Sequence, residues 1–191
     1  MLLSKRAAKV TACVVTAAAV TGVVGVDQLT SPATASVEGP KPYDRPVAPQ
    51  LKVPDGNERT AQLDATGVQT YTCTDGTWSL LEPAATLFRH GDRRRRPAAL
   101  HSRGPVWVST TDGSAVNAAA VPGAKAPRPD AVPELLLKST DNRGTGLFGS
   151  VSYIQRLNTR GGVPPTGSCA AGTQTAVPYK ATYVFYQPVE P

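Results

Sequence analysis

An all-β fold is what the sequence predicts, and three observations predict it. Apolar residues recur with a period of two in short runs, Asp-Gly pairs punctuate those runs, and no stretch keeps a helical period for three turns. The composition agrees: 191 residues with 18 prolines, 17 glycines, 40% hydrophobic and 18% charged residues suit one loop-rich globular domain with appendages. They exclude a disordered polyelectrolyte and a collagen-like chain.

Residues 1–35 read as a secretory signal. Lys5, Arg6 and Lys9 form a positive start, residues 10–26 carry no charge, and Ala33-Thr34-Ala35 is a small-x-small cleavage site, so cleavage is expected after Ala35. The rival reading is a retained membrane anchor, but the uncharged stretch is short for a span and rich in Ala, Val, Thr and Gly. Val10-Thr11-Ala12-Cys13 looks like a lipid-attachment box, yet too little apolar chain precedes it to engage export. Lys5-Arg6 is not a twin arginine, which points to export of an unfolded chain. The expected location is secreted, with no stable membrane span after cleavage.

Removing residues 1–35, with three basic residues and Asp27, takes the formal charge from +6 to +4. Two cysteines remain, Cys73 and Cys169, and an even count in an oxidising compartment predicts one disulfide. Closing so long a loop would stabilise the fold by about 2 to 5 kcal/mol. Neither cysteine has a second Cys or His at ligand spacing, which speaks against a metal or thiol centre.

Residues 36–54 hold Pro40, Pro42, Pro46, Pro49 and Pro54, which forbid a helix and favour an extended segment. A single β domain is expected over residues 55–191. Its strand candidates are residues 68–73, 77–81, 85–89, 106–111, 134–138, 147–157 and 177–186. The last shows the alternation best, with Val177, Tyr179, Ala181, Tyr183 and Phe185 on one face and Lys180 and Thr182 on the other; Val151, Tyr153 and Leu157 share a face by the same rule. Asp75-Gly76, between two candidates, supplies the positive φ angles of a two-residue hairpin turn; Asp55-Gly56 and Asp112-Gly113 are similar pairs. Residues 114–120 could form a short helix stopped by Pro122. Long connections near 90–104 and 121–131 then suit an antiparallel β-sandwich or a partly open β-barrel with long loops and one disulfide.

Gly144-Thr145-Gly146-Leu147-Phe148-Gly149 matches the G-x-G-x-x-G dinucleotide string, but strand rather than helix follows it, and no acid occurs between Asp141 and Glu190 to hold a ribose. A turn entering a strand is the better reading, and a nicotinamide-dependent dehydrogenase is disfavoured. Arg89, Arg93, Arg94, Arg95, Arg96 and Arg103 are opposed only by Asp92, which could attract a polyanion. No aromatic residue interleaves with them to stack on bases, and export makes nucleic acid irrelevant, so a solvated loop is expected. His90, His101, Asp112 and Ser114 are the only triad material close in sequence, and no nucleophile elbow, zinc-protease string or Walker lysine accompanies them. Trp78 and Trp107 could stack on sugars but alternate like core residues.

Several strings occurring in order resemble one family: Gly67-Val68-Gln69-x-Tyr71-x-Cys73, Gly104-Pro105-x-Trp107, Asp112-Gly113-Ser114-x-Val116, Leu135-Leu136-Leu137, Ile154-Gln155-Arg156-x-x-Thr159-x-Gly161-Gly162, Cys169, and Val177-Pro178-Tyr179-x-Ala181-x-Tyr183-x-Phe185-Tyr186. The chain is similar over residues 51–186 to the domain-of-unknown-function family numbered 3455. The resemblance implies a secreted protein of bacterial and fungal type with no established activity, and His101 matches a histidine ahead of the Gly-Pro-x-Trp string. A malate dehydrogenase label borne by some fungal relatives does not transfer. Val132-Pro133-Glu134 departs from the family's Ile-Pro-Trp, and the run Arg93 to Arg96 is not part of the pattern.

The expectation is therefore a non-catalytic extracellular module binding a cell-wall polymer, glycan or extracellular protein, with His101, Asp112 and Arg156 as candidate polar surface and no cofactor or metal. The alternative is a small secreted hydrolase whose site lies between His101 and the 112–114 turn.

Overall fold

The computed structural model describes residues 46–190. The export signal, the cleavage site after Ala35 and the first part of the proline-rich segment lie outside the described residues. Eight strands follow one another: β1 (Asn57–Thr74), β2 (Thr77–Arg89), β3 (Pro97–Ser102), β4 (Val106–Ser109), β5 (Ala115–Arg128), β6 (Ala131–Arg143), β7 (Tyr153–Gly161) and β8 (Gln174–Pro188). Each pairs antiparallel with the next, and β8 pairs with β1, so the sheet closes into a barrel. Between the two architectures expected, the barrel is the one adopted, and it is closed rather than partly open. Closure removes the unpaired edges that an open sheet exposes.

Local chemistry sets the turns. Asp75 and Gly76 both take positive φ, 50° and 76°, and join β1 to β2 with Thr74 opposite Thr77, as the hairpin reading expects. Residues 114–120 are not helical: Ala115 to Ala120 pair with β4 on one side and β6 on the other, so tertiary pairing overrides the helix preference of an alanine-rich string. The long connections shorten for the same reason, since 97–102 forms β3 and 121–128 belongs to β5. Ala120 lies opposite Leu137 while Lys125 lies opposite Leu135, so residues 121–124 buckle out of the ladder. Residues 147–152, expected to begin a strand, instead form the turn and approach before β7.

The alternation in β8 holds. Tyr179, Ala181, Tyr183 and Phe185 point into the barrel beside Leu63, Leu87, Trp107, Val116 and Ile154. Val151 also packs inside, whereas Tyr153 and Leu157 face outward; the three do not share a face because Val151 precedes the strand. A second apolar cluster lies outside, where Leu51 is buried against Ala124, Ala126, Leu136, Leu157 and Val184. The segment around the Pro49–Leu51 turn thus covers the outer face of β5 to β8. Gln155 Nε2 donates to the Leu51 carbonyl (2.7 Å), and Tyr186 Oη donates to Gln155 Oε1 (2.9 Å). Leu135-Leu136-Leu137 and Tyr183-Val184-Phe185 are therefore continuous apolar runs because both faces are covered there.

Cys73 and Cys169 form the disulfide, with Cα atoms 5.9 Å apart and 96 residues between them in sequence. It ties the end of β1 to the β7–β8 connection. Because strand direction alternates, the β1–β2, β3–β4, β5–β6 and β7–β8 connections share one end of the barrel. The β2–β3, β4–β5 and β6–β7 connections share the other.

Candidate functional site: the mouth of the barrel

At the end carrying the disulfide the barrel is not filled. A cavity of about 370 Å³ is lined by Gln69 of β1, Leu80 to Pro83 of β2, His101 of β3, Trp107 of β4, Ala120 of β5, Leu135 and Leu137 of β6, Arg156 of β7 and Tyr183 of β8, with Arg103 to Pro105 at its rim. All eight strands contribute, and the volume is that of a small-molecule site.

Two irregularities shape it. Tyr71 pairs with Leu80 and Thr70 with Glu82, leaving Leu81 as an extra residue; this bulge turns consecutive β2 residues toward the cavity. One turn of ladder away, a Cβ on Gly67 would collide with the Ala84 carbonyl and Ala85, so only glycine lets β1 and β2 approach there.

An aromatic stack lies along the cavity wall. The His101 ring lies flat on Trp107, centroids 4.2 Å apart and 7° from parallel, and Tyr183 meets both rings edge-on at 5.4 Å. Trp107 and Tyr183 continue to Phe185 and then Phe148 deeper in the barrel. His101 Nδ1 donates to the Val106 carbonyl (2.9 Å), which leaves Nε2 as the acceptor of a neutral ring. Burial pushes the His101 pKa down to about 4; the Val106 hydrogen bond opposes this and the nearby Arg156 charge adds to it.

Arg156 is half-buried, and its Nε and Nη2 donate to the Pro133 carbonyl at 3.1 and 2.9 Å. Among the described residues no carboxylate stands at ion-pair distance from it. Its charge reaches Tyr71, Tyr179 and Tyr183, whose pKa values burial raises and Arg156 pulls back. Two further wall residues are polar and fully buried: Gln69 Nε2 and Trp107 Nε1 have no hydrogen-bond partner.

Asp112 is elsewhere. It lies in the β4–β5 connection at the filled end, where Oδ1 accepts from the Ser114 amide (2.9 Å) and hydroxyl (2.5 Å) and Oδ2 accepts from the Leu147 amide (3.2 Å). The Ser114 hydroxyl also accepts from the Phe148 amide (3.0 Å). These bonds, the Ser114 hydroxyl first, hold the Asp112 carboxyl down to about 2. The G-x-G-x-x-G string is thus the β6–β7 turn, strapped to the Asp-Gly-Ser turn, and opens no helix.

The arginine run occupies the β2–β3 connection at the same end, where Arg93 to Arg96 are exposed. Asp92 accepts from the Arg94 and Arg96 amides and from Arg96 Nε, while Arg95 lies 4.2 Å over the Phe88 ring. His90 pairs with Asp64 at 2.8 Å, and Thr182 donates to the same carboxylate.

Of the three candidate polar residues, the structure brings His101 and Arg156 together and leaves Asp112 apart. Gln69, Glu82 and Tyr183 complete the wall and were not singled out by sequence reasoning; only their membership of family-like strings hinted at Gln69 and Tyr183. Among the described residues no three His, Cys, Asp or Glu side chains group as a metal site, and no helix is long and apolar enough to cross a membrane. Neither a curated protein nor a solved structure matches the chain. The family model described as protein of unknown function, DUF3455, matches residues 54–187, and the chain belongs to that family.

Proposed function

We propose that this protein is an exported, non-catalytic binding module that takes one small molecule, or the end of a larger envelope component, into the mouth of its barrel. The observation that carries the reading is the cavity itself, walled by all eight strands, with apolar side chains from β2, β4, β5 and β6 and a few convergent polar groups. Export draws support from the signal-like residues 1–35, and the Cys73–Cys169 bond is compatible with an oxidising compartment. The hydrolase alternative draws none from His101, which is bonded to Val106 while Asp112 and Ser114 are committed to each other at the far end.

The test is uptake of a neutral apolar fluorophore, N-phenyl-1-naphthylamine, by purified protein. One saturable site per chain is expected, and Ala120→Trp, which fills the mouth from an exposed position, should abolish it. Non-saturable uptake, or equal uptake by the filled variant, would sink the reading. Intact mass of protein from culture supernatant should match residues 36–191 less two hydrogens; an uncleaved mass would remove the exported part of the proposal.

A further inference from the structure

The donors and acceptors around the mouth are out of balance, and the imbalance selects a class of ligand. A guanidinium has five N–H donors. Arg156 directs Nε and Nη2 at one carbonyl, that of Pro133, and meets no carboxylate among the described residues. It also hydrogen-bonds the Tyr183 side chain, a neutral phenol, so nothing among the described residues cancels its charge. Half-buried charge without a partner is costly, and a wall that keeps one is built to have it neutralised by something else.

The neighbouring polar groups lean the same way. Gln69 Nε2 and Trp107 Nε1 are donors without acceptors, and Arg103 adds a second cation at the rim. On the other side stand the Nε2 acceptor of neutral His101, the Gln69 side-chain carbonyl, the Tyr183 hydroxyl and the Glu82 carboxylate on β2; with Arg103 and Arg156 against Glu82, the lining carries one net positive charge. The rest of the wall is apolar, led by Leu80, Leu135 and Leu137, with Leu80 more than half exposed at the entrance.

We infer that the mouth cavity binds a small monocarboxylate with an apolar body, its carboxylate against Arg156 and its body along Leu80, Leu135 and Leu137. This rests on the binding reading above and gives it a ligand chemistry. A carboxylate accepts two hydrogen bonds from a guanidinium, more than the neutral Tyr183 hydroxyl offers, and supplies the missing counter-charge. One net positive charge in an otherwise apolar lining matches a monoanion better than a neutral lipid or a multiply charged polymer.

The experiment is calorimetric titration of the full exported protein with two matched pairs, octanoate against octanamide and 3-phenylpropanoate against 3-phenylpropanamide. At neutral pH and low salt the acid of at least one pair should bind about tenfold more tightly than its amide, and the ratio should shrink as salt rises. Arg156→Gln should lower acid affinity about tenfold and leave the amide within about twofold. Amides binding as tightly as acids would overturn the carboxylate assignment. So would no binding of any acid while the naphthylamine still saturates, and in both cases the binding reading would survive. Failure of acids, amides and naphthylamine together would overturn both. Because Arg156 also holds the Pro133 carbonyl, Arg156→Gln needs a melting curve first; if it does not fold, the acid-to-amide ratio on unaltered protein decides.

Discussion

The two ends of this barrel are built from the same strands and differ in what fills them. At the end of the β4–β5 and β6–β7 connections, Phe148 and Phe185 pack 4.8 Å apart, and the Asp112-Gly113-Ser114 turn is laced to the 144–149 turn by carboxylate and hydroxyl hydrogen bonds. At the other end the aromatic stack stops at His101, Trp107 and Tyr183, and a cavity follows in which Arg156 meets no carboxylate. The polar groups of the filled end satisfy one another. At the mouth Gln69 Nε2 and Trp107 Nε1 have no partner and Arg156 has no counter-charge, and that contrast separates residues that hold the fold from residues that await a ligand.

Truncations should expose the contrast most sharply. Phe185→Ala, deep in the filled half, should cost about 3 to 5 kcal/mol in urea unfolding. Replacing both Cys73 and Cys169 by Ser should cost about 2 to 5 kcal/mol, because it frees a long loop in the unfolded chain. A comparable loss for Leu135→Ala would break the comparison. That side chain already borders empty space, and about 1 kcal/mol is expected.

Acid should separate the ends as well. His101 has its pKa lowered on folding, so its stabilising effect is complete above the ordinary histidine value and is lost as pH falls toward about 4. The loss over that window should be roughly 3 kcal/mol, and His101→Gln should flatten it. Asp112, held near 2, should begin to lose its stabilising effect only below the ordinary carboxylate value, between about 4 and 2. Asp112→Asn should remove that lower step and leave the upper one. A single acid transition untouched by either substitution would erase the distinction.

Much of this architecture was legible in the sequence. The period of two in β8 and the Asp75-Gly76 turn are local signals, and both hold in the structure. Residues 114–120 misled because alanine's helical preference is local, while the pairing that overrides it comes from β4 and β6. Closure was not readable, since the pairing of β1 with β8 joins opposite ends of the domain and leaves no mark on either strand alone. The double-sided burial of Leu135-Leu136-Leu137 was visible as an unbroken apolar run, but its cause, Leu51, lies far off in a proline-rich segment that reads as a spacer. For the site, His101 and Arg156 stood out as polar residues in apolar strings. Gln69 and Glu82 did not, because convergence across a barrel has no sequence spacing.

The pairing of first strand with last also governs how this molecule can come into being. If the chain emerges N-terminus first, β1 stays an open, sticky edge until β8 arrives, and Leu51 has no face to cover until β6 to β8 are in place. Assembly is then a late, single event with the chain nearly complete, slow because its decisive contacts are the most distant in sequence. A chain that stalls before residue 174 presents the longest strand of the sheet, unpaired on one side, to whatever else is nearby.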